Sequence, residues 1–257
     1  MAGRIVAVAS VAQAITIGLT LIPFSLFITP LVDEFDLPVA QILIGMGLFT
    51  LVMMGAGVGV LLDRFSICVI MTDGAFLMAL SLVLMSVAIR PWQLGALFGV
   101  GVGTGVAMAG PLAATTVIAR WLGERRGLAM GLASMGPSFG GLSLVPAGGW
   151  LLEEFGWRVV IQVFGCFPLG LGPLCFLVVR NSPADVGQAM DGWPVGAGPE
   201  NSGVSPEEWS APQIVRTRNF WAIALGVGSS LVLAATGMQT WRDSVRNWAT
   251  AVRRCRL

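Results

Sequence analysis

The sequence contains no lysine, no histidine and no tyrosine. Without histidine, the commonest general base and the commonest metal ligand are both missing. Charge is scarce too: 11% of the 257 residues are charged, and all fifteen basic ones are arginine. A soluble domain carries roughly 25% charged residues, so this chain has too little polar material to cover a water-facing surface. With 55% hydrophobic residues and a mean hydropathy of +0.81, it reads as an integral membrane protein. The net charge of +1 gives no basis for a nucleic-acid partner. Cys68, Cys166, Cys175 and Cys255 show no CxxC spacing, so neither a zinc site nor a redox pair is indicated. They read as small apolar filler in helices. An enzyme fails on the same inventory: no histidine, one acid inside an apolar run, no cysteine cluster and no phosphate-binding loop. No metal and no cofactor is expected.

What is present is a succession of long apolar runs. A hydrocarbon core about 30 Å thick needs about 20 apolar residues of helix. Residues 5–31, 42–62, 91–119, 127–152 and 159–179 carry no charge, and residues 67–89 carry one, Asp73. A seventh run, 219–241, follows a long polar stretch. The first run continues well past its "AQA", longer than a signal core, and is expected to remain as helix. The fold class expected is an all-α membrane protein. It comprises a six-span bundle over 1–179, a flexible linker over 180–218, a seventh helix over 219–241 and a basic tail over 242–257.

Arginine placement sets the orientation. With the N-terminus in the cytoplasm, Arg4, Arg64, Arg120, Arg125, Arg126, Arg180, Arg216 and Arg218 lie inside, and of the loops only Arg90 and Arg158 lie outside. The outer loops hold the acids Asp33, Glu34, Asp36, Glu153 and Glu154. A multi-pass protein of the cell membrane follows, with residues 180–218 cytoplasmic and rich in Pro, Gly, Ser and acids, as a flexible linker requires.

Membrane helices associate through small residues that let backbones approach. Gly55 and Gly59; Gly95, Gly99, Gly101, Gly103 and Gly105; Gly127 and Gly131; and Gly136 and Gly140 all offer small-xxx-small faces. Pro23, Pro30, Pro111, Pro137, Pro146, Pro168 and Pro173 lie in or at the ends of spans, where each removes a backbone donor and tends to kink its helix. Kinked, glycine-rich helices suit a bundle that encloses a cavity.

Between the second and third spans stands "GVLLDRFS", residues 59–66. Gly59, Leu61, Asp63 and Arg64 follow the spacing G-x-L-x-D-R, with Ser66 two places on. This resembles the loop motif G-x-L-x-D-R-x-G-x-(R/K) of the major facilitator superfamily. "ARWLGERRGLAMGLASMGPSFGG", residues 119–141, resembles the R-W-F-x-x-R-R-G-x-A-x-G-x-A-x-x-G segment of its monocarboxylate-transporter-like and oxalate/formate-antiporter-like members. Six spans, a long linker and a further span fit the same order. The resemblance implies a secondary transporter whose two six-helix halves, each of three-helix repeats, rock about a central site. It also implies that Asp63 and Arg64 latch the cytoplasmic side. A helix start carries about half a positive charge and favours an anion there. The chain departs from the motif at Ser66, Ile67 and Cys68, and lacks the aromatic, acidic first-helix element of the animal monocarboxylate carriers.

Other residues carry two readings each. Arg120, Glu124, Arg125 and Arg126, between spans 4 and 5, either anchor to anionic lipid or form a second half-latch. Asp73 either reaches interfacial water or Arg64, or couples transport to a proton. Gln13, Thr16 and Thr20 put polar groups on one face of the first helix, for a solute or a neighbouring helix. Met108 and Met135 read as packing. "GPSFGG", 136–141, matches a drug-exporter element and is taken as a coincidence of glycine-rich helices.

The expected partners are the lipid bilayer and a small solute, an organic anion such as a mono- or dicarboxylate. After residue 241 the apolar run ends and arginines cluster, where an outward passage should lead to an arginine-poor loop. This reads as a truncated or frame-shifted transporter with a non-native tail. Such a chain is expected to transport only if it self-associates. The competing readings are a membrane fragment that merely packs or oligomerises, and a drug-exporter-like member of the same superfamily.

Overall fold

In the computed structural model, residues 2–36, 38–54, 57–123, 125–181, 217 and 221–222 are described. The chain divides into two compact units, Met1–Gly198 and Pro199–Leu257. Nearly all described residues belong to the first; apart from residues 180, 181, 217, 221 and 222, the expected linker, seventh helix and basic tail lie outside the described residues. The described residues are helical, with no strand among them.

The first apolar run folds as α1 (Ala2–Thr20) and α2 (Phe24–Phe35), broken at Pro23. Asp36 ends α2 in the left-handed region at φ 48°, a conformation that Asp tolerates better than most residues. The second run folds as α3 (Val39–Met53) and α4 (Gly57–Arg64), neither long enough alone to cross a bilayer. The third is one helix, α5 (Ile67–Ser86). The fourth is α6 (Pro91–Ala96), a π-helical stretch Leu97–Val102, α7 (Gly103–Ala109) and α8 (Pro111–Trp121). The fifth is α9 (Arg126–Ser134) and α10 (Gly136–Phe155), and the sixth is α11 (Trp157–Val178). Five continuous or nearly continuous stretches are long and apolar enough to span a membrane, and the second run supplies a shorter apolar helix, Ala40–Met53. The expected six-run bundle therefore stands, with its second member in two pieces.

Prolines explain the breaks only where backbone bonding is also lost. Pro23 and Pro111 mark breaks, and Pro137 follows the break at Met135. Pro30, Pro146, Pro168 and Pro173 lie inside continuous helices. Gly156, at φ +77°, makes a one-residue turn between α10 and α11 that a side chain would strain.

Packing pairs the runs in a definite pattern. Run 1 packs on run 5 (α1 with α9 and α10), and run 2 on run 4 (α3 with α6, the π stretch and α7). Run 3 packs on run 6 (α5 with α11), run 3 on run 4, and run 1 on runs 4 and 6. Exchanging runs 1, 2 and 3 for 4, 5 and 6 maps this set of contacts onto itself, as two three-helix repeats would require.

Glycine admits the closest crossings. A Cβ on Gly18 would lie 2.9 Å from Gly140 Cα, and one on Gly140 only 2.5 Å from the Ala14 carbonyl oxygen. The α5–α7 crossing is equally tight, with a Gly105 Cβ 2.8 Å from the Gly74 oxygen. Gly99, Gly101, Gly103, Gly136 and Gly140 thus lie on packing faces as expected. Gly59, Gly95, Gly127 and Gly131 do not: a Cβ at each meets nothing within 4 Å. Met108 packs against the core, whereas Met135 is exposed.

Candidate functional site

The loop motif sits at a rim tied together from four runs. Asp63 and Arg64 are the last residues of α4 rather than turn residues; the turn is Phe65 and Ser66. Leu61 is half-buried against the core that contains Ile67, Met71 and Trp121, and Arg64 is exposed. The Asp63 side chain and Glu124 lie outside the described residues. From run 4, Arg120 Nη2 donates to the Leu62 carbonyl at 3.4 Å, at the C-terminal end of α4, where a cation is favoured. The two motif-bearing segments therefore touch. Arg125 and Arg126 are exposed.

The end of run 6 closes this rim. Asn181 Oδ1 accepts from Ser66 Oγ at 2.9 Å and from the Ile67 amide at 2.8 Å. Ile67 opens α5, so Asn181 supplies from another segment the cap that the first-turn amides of a helix need. Trp121 Nε1 donates to the Arg180 carbonyl at 3.0 Å. Sequence reading missed Asn181 and Trp121. Asn181 had one legible signal, a capping residue type two places past the end of an apolar run.

Gln13, Thr16 and Thr20 share one buried face of α1, with 4%, 0% and 3% of their surfaces exposed. Thr16 Oγ1 donates to the Ala12 carbonyl at 2.7 Å, and Thr20 Oγ1 to the Thr16 carbonyl, so both hydroxyl protons are spent inside the helix. Gln13 Nε2 differs: it is a buried side-chain nitrogen with no hydrogen-bond partner among the described residues. The same face of α1 packs on run 4, with Ala9 against Ala114 and Ile118. A Cβ on Gly110 would come within 3.3 Å of Thr16 Oγ1. Gly110 is the break between α7 and α8, and no side chain caps the start of α8. Gln13 lies between Ala9 and Thr16 on that face, about one turn from the contact with the break.

Asp73 is exposed on α5 and forms no ion pair with Arg64 or any other described residue. Of the readings given for Asp73, the Arg64 pairing is the one not made.

At the far end of α5 is a second polar cluster that sequence reading did not assemble. Glu34, near the end of α2, accepts from Trp157 Nε1 and, at 2.6 Å, from Arg158 Nη1. Arg158 Nη2 also donates to the Ala88 carbonyl at 3.3 Å. Beside this cluster lies a cleft of about 560 Å³ between α2, α3 and α6, floored by runs 3 and 6. Its walls include Phe24, Phe27, Phe98 and Phe164, with the Phe24 and Phe98 rings 5.1 Å apart and Phe27 edge-on to Phe164 at 6.2 Å.

Known proteins are similar to this chain in sequence and in fold. The family profile described as the Major Facilitator Superfamily matches residues 106–252. An MFS-type transporter of Aspergillus niger, pynF, is 29% identical over 147 residues, covering 56% of this chain and 33% of its own length. Human monocarboxylate transporter 14 is 32% identical over 120 residues, covering 45% of this chain and 23% of its own. The chain thus spans about a third or less of these relatives. In fold it is similar to a bacterial homologue of the human lysosomal transporter Spinster, in an inward-facing, unoccupied conformation. The TM-score is 0.56 at 21% identity, covering 78% of this chain and 47% of that one.

Proposed function

The chain belongs to the Major Facilitator Superfamily, and from that premise we propose that it forms the first six-helix body of a secondary transporter for a small organic anion. Alternating access is the proposed mechanism, with the N-terminus and the loop-motif rim cytoplasmic, in the cell membrane. Transport by two rocking bodies needs a second six-helix body against this one, and self-association is one way to supply it. Such a multi-pass protein is a transporter rather than an enzyme.

The observation that carries the anion reading is the unpaired amide of Gln13. A buried donor without a partner costs about 1–3 kcal/mol. An arriving carboxylate oxygen removes that cost. About one turn along α1, against Thr16, α8 begins in the interior of run 4 without a side-chain cap, and such half-helix starts favour negative charge. Both groups offer hydrogen atoms, so both select an acceptor. Similarity to a protein named a monocarboxylate transporter supports the same class.

The test is saturable binding of radiolabelled formate, oxalate, lactate and pyruvate to the purified chain, with uptake into proteoliposomes alongside. A hydrogen bond to a charged group is worth about 1.5–3 kcal/mol, so Gln13→Leu should weaken binding about ten- to a hundred-fold, at 1.4 kcal/mol per factor of ten. Unchanged affinity in a folded Gln13→Leu protein defeats the assignment of Gln13. Binding of none of the four defeats the anion reading.

A further inference from the structure

We infer that the break at Gly110 in run 4 binds sodium, through the carbonyl oxygens that end α7 and the hydroxyl oxygen of Thr16. α7 stops at Ala109 and α8 starts at Pro111. Pro111 has no N–H, so the Ala107 carbonyl loses its helical donor. Two backbone bonds hold the break: Gly110 N–H to the Val106 carbonyl at 2.8 Å, and Ala114 N–H to the Gly110 carbonyl at 3.0 Å. Neither uses the carbonyls of Ala107, Met108 or Ala109. Those three have no hydrogen-bond partner among the described residues.

Burial makes such carbonyls demand a partner. Ala107 and Ala109 are 3% and 0% exposed. α5 closes one side of the break, where a Cβ on Gly74 would lie 3.1 Å from the Ala109 nitrogen. At membrane depth, freed backbone groups must be satisfied by something beside them. Thr16 touches the break from α1 but has no proton to give, since its hydroxyl donates to the Ala12 carbonyl. Helix carbonyls point along the axis toward the C-terminus, so α7 turns three oxygens into the break and Thr16 adds its lone pairs. A hard cation satisfies such an all-oxygen set, and a helix C-terminus favours positive charge. No carboxylate among the described residues joins these oxygens: Asp73 precedes Gly74 on α5 but is exposed. Neutral oxygens suit a monovalent ion, because divalent ions draw on carboxylates.

Depth fits a coupling ion. α8 runs 11 residues, about 16 Å of helix, from the break to the rim at Trp121. Half of a hydrocarbon core about 30 Å thick is nearly the same length, which puts the break near the midplane. Broken helices of other transporter folds hold sodium there with unwound carbonyls. The inference goes beyond the anion reading and uses other atoms: carbonyls that end α7, where that reading uses Gln13 and the start of α8.

The experiment measures binding of radiolabelled sodium to the full chain, purified in detergent without organic anions, with choline chloride holding the ionic strength. The wild type should bind sodium saturably, displaced by unlabelled sodium and not by choline. Thr16→Val keeps the side-chain shape and removes the oxygen; Pro111→Ala gives the Ala107 carbonyl an N–H donor. Loss even of a group behind a metal ligand costs about ten-fold or more in affinity, so each variant should weaken sodium binding by at least that factor. Gly131→Ala, where a Cβ meets nothing within 4 Å, should bind as the wild type does. Three results overturn the inference: no saturable sodium binding by the folded wild type, equal displacement by choline, or wild-type affinity in both Thr16→Val and Pro111→Ala. Adding formate or lactate separates this inference from the anion reading. Sodium bound while neither carboxylate binds supports the inference and counts against the anion reading. A carboxylate bound by a chain that takes up no sodium overturns the inference alone.

Discussion

Glu34 illustrates how one side chain can tie three runs together. Its carboxylate takes the Trp157 indole proton and one from Arg158, which also reaches the Ala88 carbonyl. The charge pair is the weaker part of this cluster. Its two side chains are 41% and 36% exposed, and solvent-screened pairs contribute about 0–1 kcal/mol. Trp157 is 5% exposed, so its N–H has less access to water as a substitute partner. Glu34→Ala should therefore destabilise by about 1–3 kcal/mol, the cost of leaving a buried donor unpaired. Glu34→Gln keeps an acceptor for the indole and should lose less than half of that. Thermal unfolding of both variants in detergent checks the order, and an equal loss would place the stability in the charge instead. Sequence reading put Glu34 and Arg158 on the same outer side but could not pair them. They lie 124 residues apart, and only the packing of α2 beside the start of α11 brings them together. What Asn181 caps was hidden for the same reason: that helix begins at Ile67, 114 residues away.

At the level of helices, spacing found stripes of small residues but not which stripe is used. Gly127 and Gly131 have the same i, i+4 spacing as Gly136 and Gly140. Yet a Cβ meets nothing at the first pair and meets α1 at the second. The difference lies in the partner. Ser10, Ala14 and Gly18 form their own small stripe on α1, facing Gly136 and Gly140. A stripe becomes a crossing only where another meets it. Gly140→Ala should force α1 and α10 apart, because the Ala14 carbonyl is backbone and cannot rotate away. Overpacking of this kind costs about 1–3 kcal/mol. Gly131→Ala, in open space, should be neutral or slightly stabilising. Melting temperatures of the pair decide the matter, and equal effects would mean that helix propensity rather than the crossing governs both. Proline breaks were half legible in the same way. Sequence marks where a donor is missing, but packing decides whether the chain bends there.

Across the whole first unit, the long apolar runs were legible because lipid imposes one simple demand, about 20 apolar residues per crossing. The second run met that demand in the sequence but folds as two helices, since an unbroken apolar composition does not ensure an unbroken backbone. The two polar clusters show the unit's polarity. α5 runs from the Asn181 cap at Ile67 to Ser86, 20 residues, or about 30 Å of helix, with the Arg158–Ala88 contact just beyond. The clusters therefore sit a hydrocarbon thickness apart, and a bilayer separates them. On the orientation proposed above, the Asn181 end is the cytoplasmic one. In a chain freed of its own cysteines, Phe65→Cys and Glu153→Cys occupy exposed positions toward these two ends. An impermeant thiol reagent added to intact cells should modify position 153 at once and position 65 only after permeabilisation. The opposite order would invert the orientation and leave the bundle standing. Simultaneous modification of both from outside would mean that the runs between them do not cross, and the six-run bundle would have to be abandoned.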